Sequence, residues 1–351
     1  MIKVGILGAE TMAAGELVRI LINHPDVEIL RVASASEAGR KVADLHRGLV
    51  GDTDMEIVSE LSPEGLDAVF LCGEPWQASR WMNLYDAAAR EIGLKIIDLT
   101  GAFRGGEYDM VYGFAEHNRK ALVRGATRAS VPSALALAVE TALFPMAKNC
   151  MLPPERIRVN ISMAEIPTLA TTRPNGVPIK ASAPFSPTAT DYTRSTRLDP
   201  IAPREHRPDA EDAAMEAAAE LRRIQPSFAA PIEISLSRDN TSQRGMVATI
   251  DVAAGMSLSE LRKIYDNAYE DHGFAYPVDF VPTVADVANT NKCLINLSYP
   301  TSELNASLPA LRIVTACDNL LRGAAGNGVH LLNLLFGLSE RTGLALKASA
   351  L

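Results

Sequence analysis

The chain has little of what metal-binding, disulfide-rich and membrane proteins require. Its four cysteines, Cys72, Cys150, Cys293 and Cys317, are scattered, with no CxxC pair and no histidine nearby. That spacing excludes a disulfide framework or a zinc ribbon and reads as buried thiols of a reducing compartment. The six histidines form no HxxxH or HxxE pair, so no metal is expected. No apolar run approaches the roughly 20 residues that cross a bilayer, so no membrane is expected either. A basic excess is also missing: 34 Lys and Arg stand against 42 Asp and Glu, which argues against a nucleic-acid partner. The opening MIKVGILGAE runs straight into a strand and lacks the basic region and longer apolar stretch of a signal peptide. A soluble cytoplasmic protein is the expectation. No internal repeat or low-complexity tail is visible.

What is present is a strand–helix alternation. KVGIL, VEILRVAS, LDAVFLCG, KIIDLT and ATRASV read as strands, and AAGELVRILINH, ASRWMNLYDAAAREIG and SALALAVETALFPMA read as helices between or after them. This order predicts an α/β domain with a parallel, Rossmann-type sheet. The character changes near residue 150. A polar stretch rich in Pro and Thr runs from about Thr168 to Pro208, longer than a plain connector and suited to a functional or partner-binding excursion. After it come the alanine-rich helix DAEDAAMEAAAELRRI, most simply a solvated face, and the strands PIEISLS, MVATIDVAA, CLINLSY and LRIVTACD. That is an α+β pattern, a mixed or largely antiparallel sheet with helices on one face. The expected division is residues 1–150 plus 319–351 for the Rossmann-type domain and 151–318 for the second.

KVGIL leads into Gly8 and Ala9, where a dinucleotide fold lays a diphosphate against a helix amino terminus. Small residues are needed there so that the backbone can approach the phosphates. This turn, GAETMAAG, keeps Gly8 but has Thr11 and Ala14 at the next two fingerprint positions, with Gly15 one residue out of step. Ala14 can serve for close helix–strand packing. A β-branched Thr11 stands where the diphosphate should lie, so the stretch reads equally as a cofactor turn and as a plain one.

Taken together, VGILGAE…GELVRIL, SEAGRKV, IIDLTGAFR, VYGFAEHNR, TNKC and DNLLRGAAGNGVHLLNLLFGL resemble the N-acetyl-γ-glutamyl-phosphate reductases of arginine biosynthesis, within the semialdehyde dehydrogenase group. The similarity runs nearly from end to end. It implies a Rossmann domain completed by the C-terminal helix, a homo-oligomer (dimer or tetramer) and NADP or NAD as cofactor. It places Gly8, Ala9, Thr11, Ser34, Ser36, Asn319, Gly323 and Ala324 on the cofactor side, although small residues in the last segment also serve close helix–sheet packing.

The family's chemistry needs a thiolate that attacks an acyl phosphate, giving a thioester that NADPH reduces, with a histidine as acid and base. The thiol belongs to a motif Asn-Pro-Gly-Cys-Tyr-Pro-Thr. On this chain that motif becomes Val131-Pro132-Ser133-Ala134-Leu135-Ala136-Leu137, so the nucleophile position holds a methyl group. The histidine position, counted back from Arg244-Gly245, holds Arg238, which cannot act as a base. An arginine often found for a 2′-phosphate is Ala35, the family's Pro-His-Gly turn reads CGEPWQ with a bulky Trp76, and the second histidine of a His-Arg-His is Pro208 after His206-Arg207.

Asp98 and Arg104 of IDLTGAFR remain. Ser133 reads as a helix cap rather than a substitute nucleophile, and Cys72 and Cys317 read as buried filler. Arg104, Arg238 and Arg244 either clamp a small anionic metabolite or form internal salt bridges. His117, His206 and His330 read as structural. Three functional readings follow. The first is a pseudoenzyme that binds a small anion or a partner. The second is an NAD(P)-dependent oxidoreductase that uses a non-thiol route, and the third is a reductase whose thiol arrives from elsewhere in the chain.

Overall fold

The computed structural model describes residues 1–164, 208–239, 244–300 and 310–349. They fall into two compact units. The first takes Met1–Pro132 and Ala324–Leu346, and the second takes residues 133–164, 208–239, 244–300 and 310–323, with 347–349.

In chain order the first unit contains β1 (Ile2–Leu7), α1 (Met12–Leu21), β2 (Val27–Ala33), α2 (Val42–Leu45), β3 (Ile57–Val58), β4 (Ala68–Leu71), α3 (Pro75–Ile92), β5 (Lys95–Asp98), β6 (Val111–Tyr112), α4 (Ala115–Val123) and β7 (Arg128–Ser130). The second follows with α5 (Ala134–Lys148), β8 (Ile157–Ala164), α6 (Pro208–Ile224), β9 (Ile232–Asp239), β10 (Met246–Ala253), α7 (Leu258–Tyr269), β11 (Ala275–Val278), α8 (Val284–Val287), β12 (Cys293–Ser298) and β13 (Ala310–Cys317). The chain then returns to the first unit with α9 (Gly326–Leu335).

The first sheet is parallel throughout, in the order β3-β2-β1-β4-β5-β7-β6. All five strands read from the sequence are in it. The two-residue strands β3 and β6 are too short to show a period, which is why no pattern announced them. The order reverses between β1 and β4, the switch point at which open α/β sheets form their crevice. α9 packs on α1, α4 and β5, so the C-terminal helix completes this unit. A Cβ on Gly328 would touch Leu99 and Phe70, which brings the start of α9 close over the sheet.

The second sheet is mixed, in the order β11-β12-β13-β10-β8-β9. The pairs β12–β13, β13–β10 and β10–β8 are antiparallel, and the edge pairs β11–β12 and β8–β9 are parallel. Strand alternation divides its faces: Ile157, Val159 and Ile161 of β8 are buried, while Arg158, Asn160 and Ser162 are exposed.

The boundaries between the units fall at 132/133 and 323/324, not at the anticipated 150/151 and 318/319. The reason is α5. Apolar except for Glu140 and Thr141, it is buried from Ala134 to Ala147 and packs against α6, α7, β10, β12 and β13. A helix of that kind belongs with whatever surrounds it. Pro145 within it has no N–H to give Thr141, and the hydroxyl of Tyr269 donates to that carbonyl instead. The Tyr265 hydroxyl donates to the neighbouring Ala142 carbonyl.

Gly15, out of step as a phosphate glycine, has a packing cause. A Cβ there would collide with the imidazole of His46, just beyond α2. Gly15→Ala is therefore expected to destabilise the protein by about 1–3 kcal/mol, the usual range for overpacking. Urea unfolding would measure this, and adding His46→Ala should recover part of the loss.

Candidate functional site

The carboxyl edge of the first sheet is built on Gly8. Its φ of 85° suits glycine, and a Cβ would lie 2.6 Å from the Gly73 nitrogen and 2.8 Å from the Cys72 carbonyl carbon. The turns after β1 and β4 therefore approach each other through bare backbone. Gly8 and Ala9 donate to the Ala33 carbonyl at 2.9 and 3.1 Å, tying this turn to the end of β2. His46 Nε2 lies 2.7 Å from the Ala9 carbonyl, so the neutral ring donates there from its buried position.

Thr11 caps α1. Its hydroxyl donates to the Gly8 carbonyl at 3.0 Å and accepts the Ala14 N–H at 3.2 Å. The hydroxyl is thus folded into the turn, and it consumes a backbone donor that a phosphate would use. Glu10, between Ala9 and Thr11, was missed at the sequence level because the fingerprint names only the small positions. Its Oε2 is buried without a hydrogen-bond partner. After β2, Ser34 and Ser36 place their hydroxyls 3.1 Å apart, and the buried Glu37 pairs with Arg40. Two features of this turn, a carboxylate and a capped first helical turn, do not fit a dinucleotide diphosphate.

Further along the edge, Asp98 is fully buried. Its Oδ1 accepts Thr100 N and Oγ1 at 2.9 and 2.5 Å, and burial raises its pKa from the ordinary carboxylate value despite those bonds. Arg104 donates through Nε to the Val131 carbonyl at 2.9 Å, so this candidate anion clamp braces the chain just past β7. α9 contributes Asn327, 0% exposed with both amide atoms unpaired, another residue the sequence reading passed over. His330 Nε2 lies 2.9 Å from Glu340 Oε2. Ala324 also belongs to this unit.

The second unit holds the nucleophile turn. Ser133 is the N-cap of α5: its hydroxyl accepts the Ala136 N–H at 3.2 Å, and its own N–H donates to Glu216 Oε1 at 2.9 Å. Ala134 follows as the first helical residue and is buried. A Cβ on Gly323 would stand 2.5 Å from the Ala134 Cβ, so Gly323 is required by the close passage of the chain over this methyl. The Gly323 N–H reaches back to the Asp318 carbonyl at 3.0 Å.

Asp318, fully buried, holds the Arg244 guanidinium through two bonds of 2.6 and 3.1 Å and also accepts the N–H groups of Asn289, Leu320 and Leu321. The fork of Arg244 is therefore spent on a carboxylate within its own unit. Asn319 accepts the Gly245 N–H at 2.7 Å, which fixes it to the start of β10. Arg238 is exposed near the end of β9. Of the candidates named from sequence, Gly8, Ala9, Thr11, Ser34, Ser36, Arg104 and Ala324 lie in the first unit, and Ala134, Arg238, Arg244, Asn319 and Gly323 in the second. His206 and the Pro- and Thr-rich stretch lie outside the described residues.

The buried thiols of Cys72 and Cys317 are not prepared for nucleophilic attack. Burial, then Asp98 and Glu10, push Cys72 well above the usual thiol range, and contact with Cys293 together with burial does the same to Cys317. Cys150 is exposed but follows the far end of α5, about 24 Å along the helix axis from Ala134. Among the described residues no group of three or more His, Cys, Asp or Glu side chains could hold a metal. No described helix is long and apolar enough to cross a membrane.

Burial lowers the proton affinity of His46, with its bond to Ala9 and the charges of Glu16 and Glu10 opposing. The folded chain prefers the neutral ring, so this contribution to stability is complete above the ordinary value of 6.5 and declines as pH falls below it. Unfolding free energy measured by urea titration should drop on acidification below about pH 6.5. His46→Gln, whose amide can still donate to Ala9, should flatten that part of the profile.

Comparison with known proteins gives three findings. Residues 3–124 match the model of the semialdehyde dehydrogenase, NAD binding domain. Over 352 residues and the full length of both chains, the protein is 36% identical to the N-acetyl-gamma-glutamyl-phosphate reductase of Parabacteroides distasonis. It is 35% identical over 354 residues to that of Phocaeicola vulgatus, again over both full lengths. Among solved structures, aspartate semialdehyde dehydrogenase II from Vibrio cholerae superposes with a TM-score of 0.66 at 16% identity, over 95% of this chain and 98% of that one. The Candida albicans aspartate semialdehyde dehydrogenase with NADP gives 0.62 at 15% identity, over 96% and 98%. At those identities the structural likeness speaks for the fold alone.

Proposed function

The chain belongs to the family of N-acetyl-gamma-glutamyl-phosphate reductases, and from that membership we propose that it is a member without the thioester reduction of an acyl phosphate, non-catalytic or repurposed to bind a small anion or a partner. The observation that carries this reading is Ala134. It occupies the nucleophile position of the resembling motif, at the first turn of α5 and closely packed against Gly323. A methyl group offers no lone pair to attack a carbonyl carbon, so no acyl-enzyme can form there.

The surroundings support the same conclusion. The Ser133 hydroxyl is engaged as a cap, and its N–H is directed at Glu216 rather than toward a reacting oxygen. A carboxylate beside the turn opposes the negative charge that builds on the oxygen of an acyl group under attack. Arg238 stands at the position of the family's histidine, and a guanidinium cannot accept the proton. What remains is recognition. A small anionic metabolite is the ligand this reading assigns, with Arg238 exposed near the end of β9 and Arg104 and Arg244 bonded to Val131 and Asp318. The reading includes a cytoplasmic homo-oligomer, dimer or tetramer, on the strength of membership.

A second reading, an NAD(P)-dependent oxidoreductase that dispenses with the thioester, is favoured by Asn327. Its buried and unpaired amide matches a carboxamide, a group that accepts and donates in the same plane.

The direct test is to follow NADPH oxidation with N-acetyl-γ-glutamyl phosphate. No turnover is expected at any enzyme concentration, and turnover abolished by thiol alkylation would overturn the proposal. Ala134→Cys alone is expected to remain inactive, because Arg238 and Glu216 persist. Robust reduction by that single variant in the same assay would show that the missing sulfur was the whole obstacle.

A further inference from the structure

We infer that the β1–α1 turn selects against a dinucleotide diphosphate, and that Glu10 is the residue that does so. The inference is independent of the residue at the nucleophile position, since it concerns only the first unit.

The geometry supplies the argument. In an open parallel sheet the turn after the first strand presents backbone N–H groups and the positive end of a helix, a natural place for an anion. Here the backbone keeps that form, with Gly8 at positive φ and in close approach to Cys72 and Gly73. The side chains oppose it. Glu10 immediately precedes Thr11, the N-cap of α1, so an acidic residue adjoins the positive end of the helix. That carboxylate lies close enough to the Cys72 thiol and the His46 ring to favour the protonated form of each.

Its Oε2 is buried without a hydrogen-bond partner, so no donor of the fold is spent on that oxygen. A diphosphate brought to this turn meets a like charge on a half-buried side chain, where repulsion exceeds that in bulk water. Thr11 adds to the effect by taking the Ala14 N–H for its own hydroxyl. The turn therefore retains the shape of a nucleotide site but has the wrong sign. It rejects a phosphate ester.

The test is equilibrium binding of NADPH and of adenosine to the full-length protein, read by fluorescence and thermal shift. The variants are wild type, Glu10→Gln, Glu10→Asp and Glu10→Gln with Thr11→Gly. Glu10→Gln keeps the size of the side chain and removes its charge, so NADPH affinity should rise at least tenfold, with a further gain in the double variant. Glu10→Asp should behave like wild type. Adenosine, which carries no phosphate, should be unaffected throughout. The gap between wild type and Glu10→Gln should narrow between low and high salt, as expected for repulsion but not for a packing defect. The inference is overturned if wild type binds NADPH as tightly as Glu10→Gln, or if neither glutamine variant gains affinity. Because no step of the assay involves turnover, its outcome is separate from that of the acyl-phosphate test.

Discussion

At the switch point of the first sheet, the Gly8 backbone comes so near Cys72 and Gly73 that no side chain fits between the two turns. Much of the neighbouring structure follows from that contact. The turn is pinned to β2 through the Ala33 carbonyl, and to the segment after α2 through His46 and Ala9. The His46 ring in turn takes the space beside Gly15, so a glycine that looks like a displaced phosphate residue is there for an imidazole. A nucleotide-type turn can thus persist for packing reasons after its ligand contacts have changed, because backbone approach and ligand chemistry are set by different atoms.

The second unit illustrates the same separation. Its nucleophile turn is intact as a strand-to-helix corner: Ser133 caps, α5 is buried all round, and Gly323 passes closely over Ala134. The polar framework is equally complete, with Asp318 collecting Arg244 and three backbone donors. Buried carboxylates and guanidiniums are costly to leave unpaired, so such a network is retained whether or not a reaction depends on it. A reacting atom has no comparable structural duty. Replacing a thiol by a methyl at a helix start leaves the packing nearly unchanged.

Much of the architecture was legible in the residues. Long apolar runs ending in turn residues gave the five main strands of the first sheet, and the apolar periodicity of the C-terminal segment gave α9. Ala134 at the nucleophile position of the resembling motif was also legible, since it needs only residue identity at one motif. The roles of Arg104 and Arg244 were not: a guanidinium reads the same in sequence whether it faces a ligand, a Val131 carbonyl or an Asp318 carboxylate. Nor was the division between the units, because an apolar helix does not state which sheet will cover it.

Glu10 marks the limit of motif reading from the other side. It was printed in the turn all along, but a fingerprint that records only small positions gives it no weight. By itself the sequence determined the fold class, the family and the identity of the side chain at each family site, because strand and helix periods and motif identities are local. Only the tertiary structure decided which charges are spent internally and which remain to meet a ligand. That depends on burial and on partners brought together from distant parts of the chain, such as Arg244 with Asp318.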